Sequence, residues 1–216
     1  LGDVYKRQGV AAAVAIILVL RAMMISSQPE IIKVFQANHI AREVTLQVND
    51  EKEIKPLKEV VESLSSYSTA QLSSKEIDYS RVLLQTETKE VGKQKVQIHR
   101  LSIPRGETFK VVLSEGTEVF LNSDSRLAYP TVFKGKERVV SLEGEAYFKV
   151  AKDAAHPFIV KSGNLQIRVL GTEFNVRSYS PTDVRVTLIT GKVAVSDTCG
   201  VHSVEMVPGQ SVQLSS

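Results

Sequence analysis

Cysteine and tryptophan are almost absent: the 216 residues hold one cysteine, Cys199, and no tryptophan. A lone thiol excludes an internal disulfide, a CxxC redox pair and a cysteine-rich zinc site. Charge of one sign is lacking as well. Lys and Arg total 27 against 24 Asp and Glu, and Lys6, Arg7 and Arg21 border one apolar run, which leaves residues 22–216 near neutral. No basic stripe with interleaved aromatics occurs, so the chain has no electrostatic footprint for nucleic acid. A partner must therefore be recognised by surface shape. Histidine is scarce and scattered: His39, His99, His156 and His202 have no second His or Cys at ligand spacing. Isolated, solvated or hydrogen-bonded histidines are expected rather than a metal site. There is no GxSxG elbow, P-loop or dinucleotide fingerprint. The sequence argues for neither catalysis nor a cofactor.

Long hydrophobic runs are represented once. Gly9–Leu20, GVAAAVAIILVL, is uncharged and extends through AMMI to Ile25 if Arg21 is tolerated. Its length suits a membrane span, a signal-peptide core or a buried helix. Lys6 and Arg7 before the run, an Arg near its far end able to reach the interface, and the lack of a prompt small-x-small cleavage site favour an anchor with its N-terminus inside. The expected organisation is a cytoplasmic remnant (1–8), a transmembrane helix (9–25), a tether (26–42) containing the breaker Pro29, a small β-rich part (43–100) and a larger β-domain (101–216). The bulk of the chain would then lie in the periplasm, held by a single pass through the inner membrane. The start at Leu1 and the stop after VQL suggest a fragment of a longer protein.

The remainder alternates at period two, the signature of half-buried strands. Glu43–Val48 reads as a strand followed by an Asn49-Asp50 turn. Leu57, Val60, Val61 and Leu64 fit a helical face, although the serines after them read as loop. Tyr79–Thr86 and Lys95–Ile103 read as strands, and Pro104-Arg105-Gly106 as a turn. About ten strands are expected from Phe109 onward by the alternation rule. An apolar residue, a Gly turn and a fresh alternating strand recur at Leu113–Leu121, Leu142–Val150, Val169–Val176 and Leu188–Val195, with an echo at Pro208-Gly209. Glycine suits tight reversals that need positive φ, so Gly116, Gly144, Gly171, Gly191 and Gly209 are expected at turns between paired strands. Their uneven spacing fits a sandwich or jelly roll rather than a solenoid.

Two features resemble chemistry but read more simply as structure. Glu143 and Glu145 could be cast as the carboxylate pair of a glycoside hydrolase, yet neighbours on one turn do not flank a substrate. A turn Glu plus one tied to local backbone N–H groups, or to an Arg such as Arg138, fits better. The aromatics from Phe109 to Tyr179 could stack on sugars, but in alternating runs they are core by default. Tyr147 and Phe148 must point to opposite faces, so one of them marks a second interface or the surface.

The ordered series from IPRGETFKVVLSEGTEVFLNSDSRLAYP through SLEGEAYFKV to VLGTEFNVRSY, TLITGKVAV and PGQSVQL resembles the periplasmic domain of FecR-family transmembrane anti-sigma factors of the Bacteroidota type. The family's Asp-Gly-Thr turn appears here as Glu115-Gly116-Thr117. The matching signature positions are Gly116, Thr117, Asn122, Gly144, Glu145, Phe148, Gly171, Thr172, Phe174 and Gly209. The resemblance implies a membrane helix, a jelly-roll-like or sandwich β-domain, and a role in relaying a signal. The signal would come from the signalling domain of a TonB-dependent outer-membrane transporter and pass to an extracytoplasmic-function sigma factor. The sigma factor would be held by a cytoplasmic segment before Leu1, and a small α/β domain would follow Ser216. A second class of function stays open, an envelope β-sandwich that binds glycan or peptidoglycan without signalling.

Overall fold

The computed structural model describes residues 43–49, 54–59, 71–73, 75–80, 96–199 and 202–214. The expected anchor at 9–25, the tether, His39 and most of the helical stretch after Leu57 lie outside them. Among the described residues no helix is long and apolar enough to cross a membrane. The region from Ile40 to Ser216 is one compact unit.

The protein is mainly β, with sixteen strands among the described residues. The first part contributes β1 (Thr45–Val48), β2 (Lys55–Pro56), β3 (Gln71–Ser73), β4 (Glu76–Asp78) and β5 (Ile98–Ile103). There follow β6 (Phe109–Val112), β7 (Glu118–Leu121), β8 (Ser125–Pro130), the long β9 (Arg138–Lys149), β10 (Phe158–Ser162) and β11 (Leu165–Val169). The last are β12 (Glu173–Ser180), β13 (Asp183–Thr190), β14 (Val193–Asp197), β15 (Ser203–Met206) and β16 (Ser211–Leu214). Their hydrogen bonds divide into two sheets. The first runs β2-β1-β5-β8-β9-β10-β11-β14-β15. The second runs β3-β4-β6-β7-β9-β12-β13-β16. Strand β9 belongs to both: residues up to Glu143 pair with β8 and β10, and residues from Gly144 onward pair with β7 and β12.

Alternation along β9 decides the core. Val140, Leu142, Ala146 and Phe148 are buried, while Ser141, Glu143 and Lys149 are exposed. The inner faces of the sheets meet where Phe148 stacks on Phe174 of β12 at 5.0 Å and Phe158 of the first sheet lies 6.2 Å from Phe148. Thus Phe148 points inward and Tyr147 outward, as the adjacent positions require.

The glycine turns differ from expectation in one informative way. All five expected glycines have positive φ, but only Gly116 closes a tight hairpin, between β6 and β7. Gly171, Gly191 and Gly209 lie where the chain passes from one sheet to the other. Gly144 is not in a turn at all. It sits inside β9, at the residue where that strand changes sheets. A Cβ there would lie 2.5 Å from Ser125 Oγ and 2.7 Å from Ser125 Cα, so the close approach of β8 admits only glycine. Of the expected strand Tyr79–Thr86 only Tyr79 and Ser80 are among the described residues, and they lie just beyond β4, which ends at Asp78; the rest of that stretch lies outside them.

Candidate interaction face

Tyr147 is the outward residue that the β9 pattern singles out, and its cross-strand partners build a face on the second sheet. Phe120 of β7 lies opposite Tyr147 in the ladder, with ring centroids 5.9 Å apart. Phe120 is 41% exposed, so its ring presents apolar area to solvent beside Tyr147. Lys110 of β6 places its ammonium 5.5 Å from the Phe120 ring centre. That ammonium also pairs with Glu76 at 3.3 Å and Glu118 at 3.1 Å. Its pKa is raised, first by the hydrogen bond with Glu118, so the cation is held on the face. On the other side, the Tyr147 hydroxyl donates to Glu173 Oε2 at 2.8 Å. The Tyr147 pKa is raised by desolvation and then by that carboxylate.

One row further along β9, Glu145 accepts from Asn175 Nδ2 at 3.0 Å and from Asn122 Nδ2 at 3.2 Å. Strands β9 and β12 and the turn after β7 are thereby tied through side chains. Glu145 therefore binds two amides rather than backbone N–H groups, and Arg138 is not its partner. Glu143 makes an exposed pair with Arg126 at 3.1 Å. The two carboxylates are thus committed to separate local partners.

The other signature residues build the frame behind this face. Thr117 is buried and its Oγ1 accepts from the backbone N–H of Ala151 at 3.1 Å. Thr172 is also buried; its Oγ1 donates to the Lys192 carbonyl at 3.0 Å, and its own carbonyl accepts from Val150 N–H at 3.0 Å. The two Gly-Thr pairs, Gly116-Thr117 and Gly171-Thr172, therefore grip consecutive residues after β9. A Cβ at Gly171 would meet Lys152 Cα at 2.8 Å. At Gly209, by contrast, a Cβ would face open space.

Sequence reasoning missed the role of Arg138. It is 3% exposed, and its guanidinium lies 5.4 Å from the Phe158 ring centre. It donates to the carbonyls of His156 at 2.8 Å, Ala151 at 3.1 Å and Asp153 at 3.5 Å, and pairs with Glu115 at 3.3 Å. Asp153 organises the same loop: it accepts from the backbone N–H groups of Ala155 and His156 and pairs with the His156 ring. The pKa of Asp153 is lowered, first by the His156 side chain. The signal in sequence was an Arg opening a strand otherwise apolar on its inner side. Among the remaining histidines, His202 pairs with Asp197 at the surface and His99 is buried. No group of three or more His, Cys, Asp or Glu able to hold a metal occurs among the described residues.

Residues 99–194 match the family model described as FecR protein. Over this stretch the chain resembles the FecR family. The match begins in β5 and ends in β14, so it contains the aromatic pair, Glu145 with its two asparagines, and both Gly-Thr turns. Two crystal structures from Parabacteroides distasonis, each described as a candidate anti-sigma factor, are similar. The one at 2.50 Å shares 33% identity over 54% of this chain and 59% of that chain, with a TM-score of 0.50. The other, at 1.65 Å, shares 34% identity over 53% of this chain and 58% of that chain, with a TM-score of 0.49. The chain thus spans less than two thirds of either. No curated protein matches it.

Proposed function

We propose that this chain is the envelope-side sensing portion of a membrane-anchored anti-sigma regulator. In this reading residues 9–25 form a single N-in span of the inner membrane, and the FecR domain lies in the periplasm. The domain docks the signalling domain of a TonB-dependent transporter. A cytoplasmic segment beyond this chain holds an extracytoplasmic-function sigma factor. The observation that carries the reading is the FecR match over residues 99–194, and the similar structure described as an anti-sigma factor supports it. The Phe120–Tyr147 pair, with Phe120 exposed and Tyr147 half-buried, is ringed by Lys110, Glu173 and Glu145 and supplies a face with apolar area and fixed charges, which is what a specific protein contact needs.

Pull-down from envelope extracts with residues 26–216 as bait tests the docking step. Recovery of a transporter from wild type, and its loss with Phe120→Ala and Tyr147→Ala, is expected. Retention of peptidoglycan or polysaccharide with no transporter would instead establish the glycan-binding reading. Reporter fusions at residue 100 test the topology, with activity expected only for a reporter that works outside the cytoplasm.

A further inference from the structure

A buried polar cluster lies away from the outer aromatic face. Tyr79 beyond β4, His99 of β5 and Tyr129 of β8 are each 1% exposed. Their rings meet edge-on, with centroids 5.6, 5.6 and 6.0 Å apart. The Tyr129 hydroxyl donates to the Tyr79 oxygen at 3.1 Å, and the Tyr79 hydroxyl lies 2.8 Å from His99 Nδ1. Since Tyr79 already accepts from Tyr129, its own proton goes to Nδ1, which assigns His99 as the Nε2–H tautomer. Nε2 itself is buried without a hydrogen-bond partner. The imidazole is therefore held as a neutral acceptor at the end of a one-way chain of hydrogen bonds.

Among the described residues, the groups around His99 offer a cation nothing. Val48 of β1 and Tyr129 of β8 are its cross-strand partners. Tyr79 is the titratable group reaching it from the second sheet. Arg100, next on β5, donates to the Asn49 carbonyl at 2.6 Å. Among the described residues no carboxylate bonds to the ring. Burial is the cause that lowers its pKa, from 6.5 to about 4.

The cluster also joins the two sheets at an uneven place. Strands β5 and β8 are each paired on both sides. Among the described residues, the hairpin of β3 and β4, with three residues in each strand, lies at one end of the second sheet and pairs with β6 alone. Beyond that ladder, Tyr79 N–H donates to the Val112 carbonyl and Lys110 N–H to the Lys75 carbonyl. When strain enters such an arrangement, the short terminal hairpin yields before strands paired on both sides.

We propose that His99 is an acid-operated latch for the β3–β4 hairpin, so that protonation expels the Tyr79 hydroxyl and frees the hairpin from β6. The proton comes from solvent and goes to Nδ1, which turns from acceptor to donor. The Tyr79 hydroxyl must then rotate, and its proton loses its acceptor, while a cation without a counter-charge sits in an apolar interior. The neutral imidazole keeps the latch closed above its exposed pKa, and closure weakens as pH falls toward its buried pKa. Release would leave β6 as an unpaired edge able to accept another strand.

Hydrogen exchange on the full chain in detergent, resolved to peptides and corrected for intrinsic rates, tests this. Between pH 7 and pH 4 the opening of residues 71–79 should rise about 100-fold, while the Phe148 and Phe174 peptides stay protected. His99→Gln, whose amide oxygen can still accept from Tyr79, should remove that rise. If the variant misfolds, NMR titration of the His99 ring in the wild type decides, with a midpoint near that of hairpin opening expected. The proposal is overturned if the hairpin stays closed at low pH or opens equally in His99→Gln. It is also overturned if the hairpin opens only together with the Phe148–Phe174 core, or if His99 titrates like an exposed imidazole.

Discussion

Replacing Gly144 by alanine tests the central claim about β9, that one residue lets a single strand serve two sheets. Gly144 has φ of +95°, and an L-residue forced into such a conformation costs about 1–2 kcal/mol. The added Cβ would also meet Ser125 Cα at 2.7 Å, and overpacking against backbone costs a further 1–3 kcal/mol or so. Ser125 cannot retreat freely, because its Oγ accepts from Glu145 N–H at 2.9 Å and donates to the Glu145 carbonyl at 3.1 Å. Shifting β8 would weaken this reciprocal pair, so Gly144→Ala should destabilise the domain by about 4 kcal/mol in all. Gly116→Ala is the control. Its φ is +88° but a Cβ there meets nothing within 4 Å, so only the conformational cost of about 1–2 kcal/mol applies. Urea denaturation of residues 40–216, a compact unit by itself, followed by circular dichroism, gives both values. Equal losses for the two variants would refute the argument that the close approach of β8, rather than turn geometry, demands glycine inside β9.

Removing the buried guanidinium with Arg138→Met should cost about 3–5 kcal/mol, because the Glu115 carboxylate and the carbonyls of the 151–157 loop lose their partner. Glu115→Gln in the same chain should recover part of that loss, and additive losses in urea denaturation would contradict the coupling. Burial raises the pKa values of both Tyr79 and Tyr129. The stability they contribute is present below the ordinary phenol value of 10.0 and is lost as pH rises above it. Alkaline titration should therefore show two tyrosinates appearing only with unfolding, and Tyr79→Phe should leave one; gradual ionisation of both in the folded state would contradict the burial.

Much of the strand structure was legible because burial on one side of a sheet imposes period two on any sequence. Leu165, Ile167 and Val169 against Gln166 and Arg168 showed their faces directly, whereas Tyr147 and Phe148 showed that they face opposite ways but not which one faces in. The glycines announced positive φ, which is a local property. Nothing local distinguishes a hairpin from a passage between sheets, however, since both need the same backbone angles. Gly116 and Gly171 therefore looked alike until the partners of the flanking strands were known. Gly144 looked like a turn because a Gly between two glutamates breaks the apolar pattern, whereas its glycine is required by Ser125 of a neighbouring strand. The partners of Arg138 and His99 were hidden for the same reason. Glu115 and Arg138 are 23 positions apart, and Tyr79 and Tyr129 are 50 apart. The sequence by itself determined which residues face inward and where the backbone needs glycine. The pairing of strands across those separations decided which sheet each strand joined, which polar side chains were buried together, and that Phe120 and Tyr147 would share one exposed face.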